Sequence, residues 1–409
     1  MMDTLQKMSE EMEKELLRHI IPFWESLKDE RGGFCGEVTS DLTRHDDADK
    51  GVILHSRILW FFSRAYLLTS DRNLLADATH AYQFLTEHCF DDQYGGVYWT
   101  VHWDGTAAED MKHAYNQAFA IYGLTAYYEA SGERAALEKA YDLYQILEGR
   151  CIDHFGYLEA FSREWGAMEN DKLSEDGYLA CRTMNTLLHV IEAYTELFRV
   201  GGEKKVKESL RTALELCLSR VYDPRLGALY VFFNKRGHNI AEIHSYGHDI
   251  EAAWLLDRAC EGLQDEELTK RISDMSLHLT NTVLSCALEP DGGVNNQCCR
   301  GVIDKSRVWW VQAESIVGCV NAYQKTSNSQ YLEIADRIWQ FLKDRVIDRR
   351  PGGEWYWQTD EKGVPDLNKP IAGAWKCPYH NGRMCMEVMQ RCIDIMSGIR
   401  AFSASRSGC

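Results

Sequence analysis

The chain has little that would divide or anchor it. Only seven of its 409 residues are proline, and no linker rich in Pro, Ser or Gly interrupts it. No run approaches the ~18 apolar residues of a membrane span. The first seventeen residues are rich in Glu and Lys and lack the apolar core of a secretion signal, so a cytoplasmic protein is expected. Fourteen cysteines occur, yet none has Cys-x-x-Cys spacing, and the adjacent Cys298 and Cys299 suit neither an ordinary disulfide nor a zinc knuckle. They read as reduced thiols that fill core positions, with no structural metal. Basic residues are outnumbered, 45 Lys and Arg against 62 Asp and Glu, for a net charge of −17. That balance argues against nucleic acid or an anionic membrane as partner. There is no phosphate loop, Gly-x-Gly-x-x-Gly helix start or Gly-x-Ser-x-Gly elbow, which removes nucleotide and serine-hydrolase chemistry.

What the chain does have is a repeat. Glycine turns followed by aromatic or branched residues occur around Gly33, Gly96, Gly156, Gly227, Gly293 and Gly353, at intervals of 63, 60, 71, 66 and 60 residues. Six turns at near-constant spacing indicate an internal repeat, and each reads as a short hairpin. Two helical patterns lie between successive turns. One is amphipathic, as in Leu75, Ala78, Tyr82 and Leu85, or Val206, Leu210, Ala213 and Cys217, or Tyr331, Ala335, Ile338 and Leu342. The other is apolar on several sides, as in Val52 through Leu68 and Leu187 through Phe198. Helices wet on one face and helices buried all round imply two concentric layers. The expected fold is an all-α (α/α)6 barrel of about twelve helices over residues 1–402, with a disordered tail at 403–409. An open helical solenoid is the alternative.

The unusual polar and aromatic residues fall at one place in each repeat, just after the hairpin and near the start of the second helix. They are Arg57; Tyr115 and Asn116; Asn185 and His189; His248 and Glu251; Trp309, Trp310 and Glu314; and Trp375 and His380. If the inner helices run the same way, these residues ring a single cavity at one mouth of the barrel. His248 and Glu251 lie three apart on one helix face, so the carboxylate is expected to orient the imidazole. Each residue has a plainer reading. Arg57 would serve as an interhelical ion-pair partner, His189 as a satisfied core histidine, and the tryptophans as core. His244 and His248 match an i, i+4 metal pair, but Gly247 between them places His244 before the helix, and no metal is expected. The cavity candidates are histidines rather than the two flanking acids of a glycosidase.

The segments Lys50–Arg57, His113–Phe119, Asn185–His189, His248–Glu251 and Trp375–Arg383 resemble, in order and spacing, those of the N-acylglucosamine 2-epimerase superfamily. The likeness runs from Ile20 through nearly the whole chain. It implies a monomeric barrel that needs no cofactor and converts the reducing-end glucose of β-1,4-linked disaccharides such as cellobiose and lactose to mannose. By this resemblance Arg57, His189, His248 and His380 are catalytic. Tyr115, Asn185, Glu251 and the tryptophans support them, and Asn116 and Glu314 complete the expected substrate site. The implied chemistry is ring opening, removal of the C2 proton by histidine, an enediolate held by Arg57, and reprotonation from the other face. An aldose–ketose isomerase, an amino-sugar 2-epimerase, a carboxylate-based glucuronyl hydrolase and a non-enzymatic sugar-binding protein remain as rival functions.

Overall fold

The residue that follows each glycine turn anchors its repeat. Phe34, Val97, Tyr157, Leu229, Val294 and Trp355 are all buried, at six equivalent points in a computed structural model that describes residues 2–170, 172 and 177–406, without side chains for residues 2 and 398–406. Two of the turns require glycine. Gly33 and Gly96 have φ of +66° and +77°, and a Cβ there would run into the His55 and Trp165 rings.

Helices α1 (Met2–Glu15) and α2 (Ile21–Ser26) join through a π-helical turn and form one outer helix. Inner and outer helices then alternate. They are α3 (Val52–Thr69), α4 (Arg72–His88), α5 (Ala114–Ser131), α6 (Arg134–Ile146), α7 (Met184–Gly201), α8 (Lys204–Leu216), α9 (Tyr246–Cys260), α10 (Glu266–Cys286), α11 (Trp309–Thr326), α12 (Gln330–Phe341) and α13 (His380–Arg406). Ser70, Gly132, Gly202 and Ser327 end four of the inner helices in the left-handed conformation, which turns the chain back into an outer helix. Asp71 and Asp265 cap the outer helices α4 and α10 by accepting from the N–H groups of Asn73 and Leu268.

Each inner helix from α3 to α11 packs on the next, and α13 packs against both α11 and α3. The inner ring is therefore closed, which excludes the open solenoid, and the architecture is an (α/α)6 barrel as expected. Of the tail expected at 403–409, residues 407–409 lie outside the described residues, while α13 continues to Arg406.

A short strand precedes each inner helix up to α11 and pairs antiparallel with a strand of the following repeat. Lys50–Gly51 pairs with Thr100–Val101, Lys112–His113 with Ala160–Phe161, Arg182–Thr183 with Phe232–Phe233, Ile243–Ser245 with Gln297–Cys299, and Arg307–Val308 with Gln358–Thr359. A bridge between Val38 and Ala372 joins the last repeat to the first. The mouth of the barrel is thus tied all the way round.

Buried ion pairs lock this rim. Lys50 Nζ lies 2.9 Å from Asp29, Lys112 Nζ lies 3.0 Å from Asp91, and Lys376 meets Glu354. In four repeats, five residues after a basic residue of the rim (Lys50, Lys112, His244 and Arg307), a polar side chain on the inner helix pins the hairpin. Phe34 N–H donates to His55 Nε2 at 2.9 Å, Val97 N–H to Gln117 Oε1 at 2.7 Å, Leu229 N–H to Asp249 Oδ1 at 3.2 Å, and Val294 N–H to Gln312 Oε1 at 2.8 Å. Although burial opposes it, hydrogen bonds from Arg163 and Lys112 hold the Asp91 carboxyl well below the usual carboxylate range. That contribution to stability is present at neutral pH and is lost as pH falls toward the depressed value. Lys112→Met removes one of the two cations on Asp91, leaving Arg163, and is expected to destabilise the fold by about 1.5–3 kcal/mol, the range of a lost charged hydrogen bond. Thermal unfolding checks this, and an unchanged Tm would show that the rim pair is dispensable.

Candidate active site

The spacing that places the hairpin pins also sets what faces the cavity. Seven residues after the basic position, the inner helices carry Arg57, Phe119, His189, Glu251, Glu314 and Arg383, and these side chains meet one another inside the ring. One turn nearer the mouth stand Tyr115, Asn185, His248, Trp310, Tyr379 and His380. Expected cavity residues from all six inner helices come together at this end of the barrel.

One wall is built on Arg57. Its Nη2 donates to Tyr115 Oη at 2.9 Å and its Nη1 to the Trp375 carbonyl at 3.4 Å, while the guanidinium carbon stands 4.1 Å from the Phe119 ring centre and 4.6 Å from that of Tyr379. Tyr115 turns its ring toward His189 at 5.2 Å and Trp375 at 6.0 Å. The opposite wall is Trp310, half-buried, whose ring centre lies 4.8 Å from that of His248 and 5.3 Å from that of His380. Both imidazoles are thus in contact with one indole. Of the two adjacent tryptophans, Trp310 is the one that contacts both histidines. Trp309 packs on Trp357 at 5.0 Å and is 3% exposed.

Carboxylates aim two of the histidines. His380 Nδ1 lies 2.7 Å from Glu314 Oε1, and His189 Nδ1 lies 2.9 Å from Glu192 Oε2. A carboxylate accepts the hydrogen bond of Nδ1–H, so each neutral ring presents Nε2 as a lone pair. His248 differs, for its Nδ1 lies 2.7 Å from Ser245 Oγ, a group that either donates or accepts. The expectation that Glu251 orients His248 is therefore corrected. Glu251 turns into the barrel to accept from Arg383 Nη2, and its Oε1 is 3.9 Å from His380 Nδ1. Burial pushes the His248 imidazole down to about 3. Burial, then the Arg383 and Arg57 charges, depress His380 well below its ordinary value, and burial also lowers His189. All three rings are neutral at pH 7.

Three residues expected to touch substrate lie behind the wall. Asn116, Glu251 and Glu314 are fully buried. Asn116 Nδ2 donates to the Tyr98 carbonyl at 2.9 Å, which fixes the hairpin instead. Glu314 receives the Trp254 indole N–H at 2.8 Å as well as His380. Buried donors and acceptors with no partner inside the protein include Arg57 Nε, Asn185 Oδ1 and Trp309 Nε1, a set that sugar hydroxyls can satisfy.

The arrangement does not favour a metal. His244 Nε2 lies 2.7 Å from Asp249 and so is committed away from His248. Glu251, Glu314 and His380 bring three ligand-type atoms within 4.8 Å of one another, but Arg383 Nη2 donates to both carboxylates. The cation of that cluster is a guanidinium. Arg383, Glu192 and Tyr379 escaped the sequence reading. Glu192 follows His189 at the same three-residue spacing that was read between His248 and Glu251, and Arg383 stands in the same register as Arg57.

Known proteins with this layout are close in sequence as well as in shape. The cellobiose 2-epimerase of Ruminococcus albus is 50% identical over 389 residues, which are 95% of this chain and 100% of that one. The cellobiose 2-epimerase of Dictyoglomus turgidum is 42% identical over 388 residues, 95% of this chain and 99% of its own. Among solved structures, a sugar epimerase from a ruminal bacterium superposes with a TM-score of 0.93 at 49% identity, covering 94% of this chain and 99% of that one. The cellobiose 2-epimerase of Bacillus thermoamylovorans superposes with a TM-score of 0.90 at 42% identity, covering 94% and 100%. The family model of N-acylglucosamine 2-epimerase (GlcNAc 2-epimerase) matches residues 33–382; the chain belongs to that family.

Proposed function

We propose that this protein epimerises C2 of the reducing-end glucose of a β-1,4-linked disaccharide, cellobiose or lactose, giving mannose at that end. The observation that carries the reading is a pair of neutral imidazoles, on two different inner helices, whose ring centres lie 4.8 and 5.3 Å from that of the same tryptophan, Trp310. A cyclic sugar has no carbonyl beside C2, so the ring must open first. The lone pair on His380 Nε2 takes the O1 proton while His248, whose Ser245 partner permits either tautomer, delivers one to the ring oxygen. The resulting aldehyde acidifies the C2 proton. One imidazole removes it, the Arg57 guanidinium faces the charge that develops on O1 and O2, and the other imidazole reprotonates C2 from the opposite face. His189, aimed by Glu192, stands beside Tyr115 and Arg57 as a further donor or acceptor at the oxygens. Every step moves only protons, so the carbon skeleton keeps its overall oxidation state and no redox group is required.

The reading includes a cytoplasmic monomer. In favour of the location, the described cysteines are free thiols, most of them buried, which suits a reducing compartment. No described helix is long and apolar enough to cross a membrane.

Trp375 is half-buried at the mouth, 5.7 Å from Trp99 and 6.0 Å from Tyr115, where a second sugar ring stacks on its indole. Product profiles on cellobiose, lactose, mannose and N-acetylmannosamine test the function. Mannose-ended disaccharides are expected as the main products, and Trp375→Ala is expected to raise KM for cellobiose about tenfold, the loss of ~1–2 kcal/mol of apolar stacking, with little effect on monosaccharides. Conversion of mannose to a ketose in place of disaccharide epimerisation would overturn the assignment.

A further inference from the structure

Below the cavity the barrel axis is filled by charge. Arg383 Nη1 donates to Glu192 Oε1 at 2.6 Å, and Arg383 Nη2 donates to Glu251 Oε1 and, at 2.6 Å, to Glu314 Oε1. One guanidinium thus serves three carboxyl groups, each at most 4% exposed. The surrounding groups do not balance them. From α3 comes Arg57, which hydrogen-bonds none of the three. From α5 come Tyr115 and Tyr122, from α7 His189, from α9 His248, and from α13 Tyr379 and His380. The histidines are neutral, and burial pushes the tyrosines up so that they stay protonated. Three carboxylates would therefore face two guanidinium groups in a buried interior, where an uncompensated charge is costly and a carboxyl takes up a proton instead.

The hydrogen bonds show which carboxyl takes it. Glu192 accepts from His189, from Tyr379 Oη at 2.6 Å and from Arg383. Glu314 accepts from His380, from Trp254 and from Arg383. Glu251 has Arg383 alone. Donors stabilise the ionised form, so the proton belongs to the carboxyl with fewest of them. We infer that Glu251 is a neutral carboxylic acid in the working enzyme and that, by staying neutral 3.9 Å from His380 Nδ1, it is a positioning residue that leaves this imidazole facing a single carboxylate.

Burial, with the neighbouring Glu314 charge next, pushes Glu251 up to about 8. Burial raises Glu314 too, but there the Arg383 charge and the hydrogen bonds from Arg383 and Trp254 oppose it, and Glu192, despite its burial, is held down to about 2 by Arg383 and His189. For His380 the consequence is a matched basicity. A second negative charge beside Nδ1 would stabilise the imidazolium, and a ring that holds its proton too firmly does not return it to carbon.

This inference rests on the epimerase reading for its kinetic consequence and on the geometry alone for the protonation state, so the experiment has two arms. The first is Tm against pH for the wild type, Glu251→Gln and Glu314→Gln. A carboxyl with a raised folded-state pKa stabilises fully below its unfolded value and loses that contribution as pH rises through the folded value. The wild-type Tm is expected to fall through pH 8, and that of Glu251→Gln, an isostere of the neutral acid, to stay flatter and exceed the wild type at pH 9. The second arm is kcat on cellobiose. Glu251→Gln is expected within about threefold of the wild type at pH 7 and without an alkaline limb near 8, whereas Glu314→Gln, which unlocks His380, is expected to lose about a hundredfold. A Glu251→Gln protein that is destabilised at every pH, or that loses activity as Glu314→Gln does, overturns the inference. If no form turns over cellobiose, the epimerase reading fails while the Tm arm still decides the protonation state.

Discussion

His380→Asn is expected to lower kcat for cellobiose epimerisation by about 10²–10⁴, the range that general acid–base catalysis supplies. Asparagine keeps a hydrogen-bonding head that Glu314 can hold, so the loss reports on the missing lone pair and not on an emptied site. The ring that it replaces has its Nδ1 locked 2.7 Å from Glu314 and its centre 5.3 Å from that of Trp310. KM is expected to change little, because sugar binding rests on the aromatic and hydroxyl-binding groups around it. Steady-state kinetics with retained Tm checks this, and near-normal turnover would remove His380 from the chemistry.

Arg57→Ala is expected to cost about 10²–10³ in kcat, comparable with removing one donor from a preorganised oxyanion site. Arg57 is 3% exposed, holds Tyr115 and the Trp375 carbonyl, and lies between the Phe119 and Tyr379 rings. Its position is thus set before substrate arrives. Arg57→Lys keeps the charge without the planar fork and is expected to recover only part of the loss. Equal effects on kcat and on substrate affinity would instead assign Arg57 to ground-state binding.

Much of this was legible in the sequence because it is local. Glycine turns at near-constant intervals mark the repeat, and the contrast between Val52–Leu68 and the amphipathic run from Leu75 separates inner from outer helices. From these follows the convergence of Arg57, Tyr115, His189, His248, Trp310 and His380 at one mouth. What was not legible depends on contacts between helices. The carboxylate that aims His380 comes from Glu314, 66 residues earlier and on another helix. Glu251 shares a helix face with His248, but His248 begins a helix whose preceding strand brings Ser245 back to its Nδ1, and that nearer partner prevails. Asp249 reads as a motif neighbour until the five-residue offset from the basic position shows that this tier pins hairpins, and Asn116 reads as a site residue until its hydrogen bond to the Tyr98 carbonyl shows that it holds the hairpin beside Gln117. Arg383 follows in a short polar run after His380 and stands out only when the seven-residue offset aligns it with Arg57 and His189.

The central claim is that two imidazoles, His248 and His380, serve opposite faces of one carbon. The most direct measurement is the hydrogen at C2 of the first product formed from unlabelled cellobiose in heavy water, read by NMR or mass spectrometry at a few per cent conversion. The account predicts solvent deuterium at C2 in essentially every mannose-ended product molecule, because the proton delivered to the new face comes from a different, solvent-equilibrated ring. Product that retains the original hydrogen would contradict it, since a single group would then carry the same proton from one face to the other.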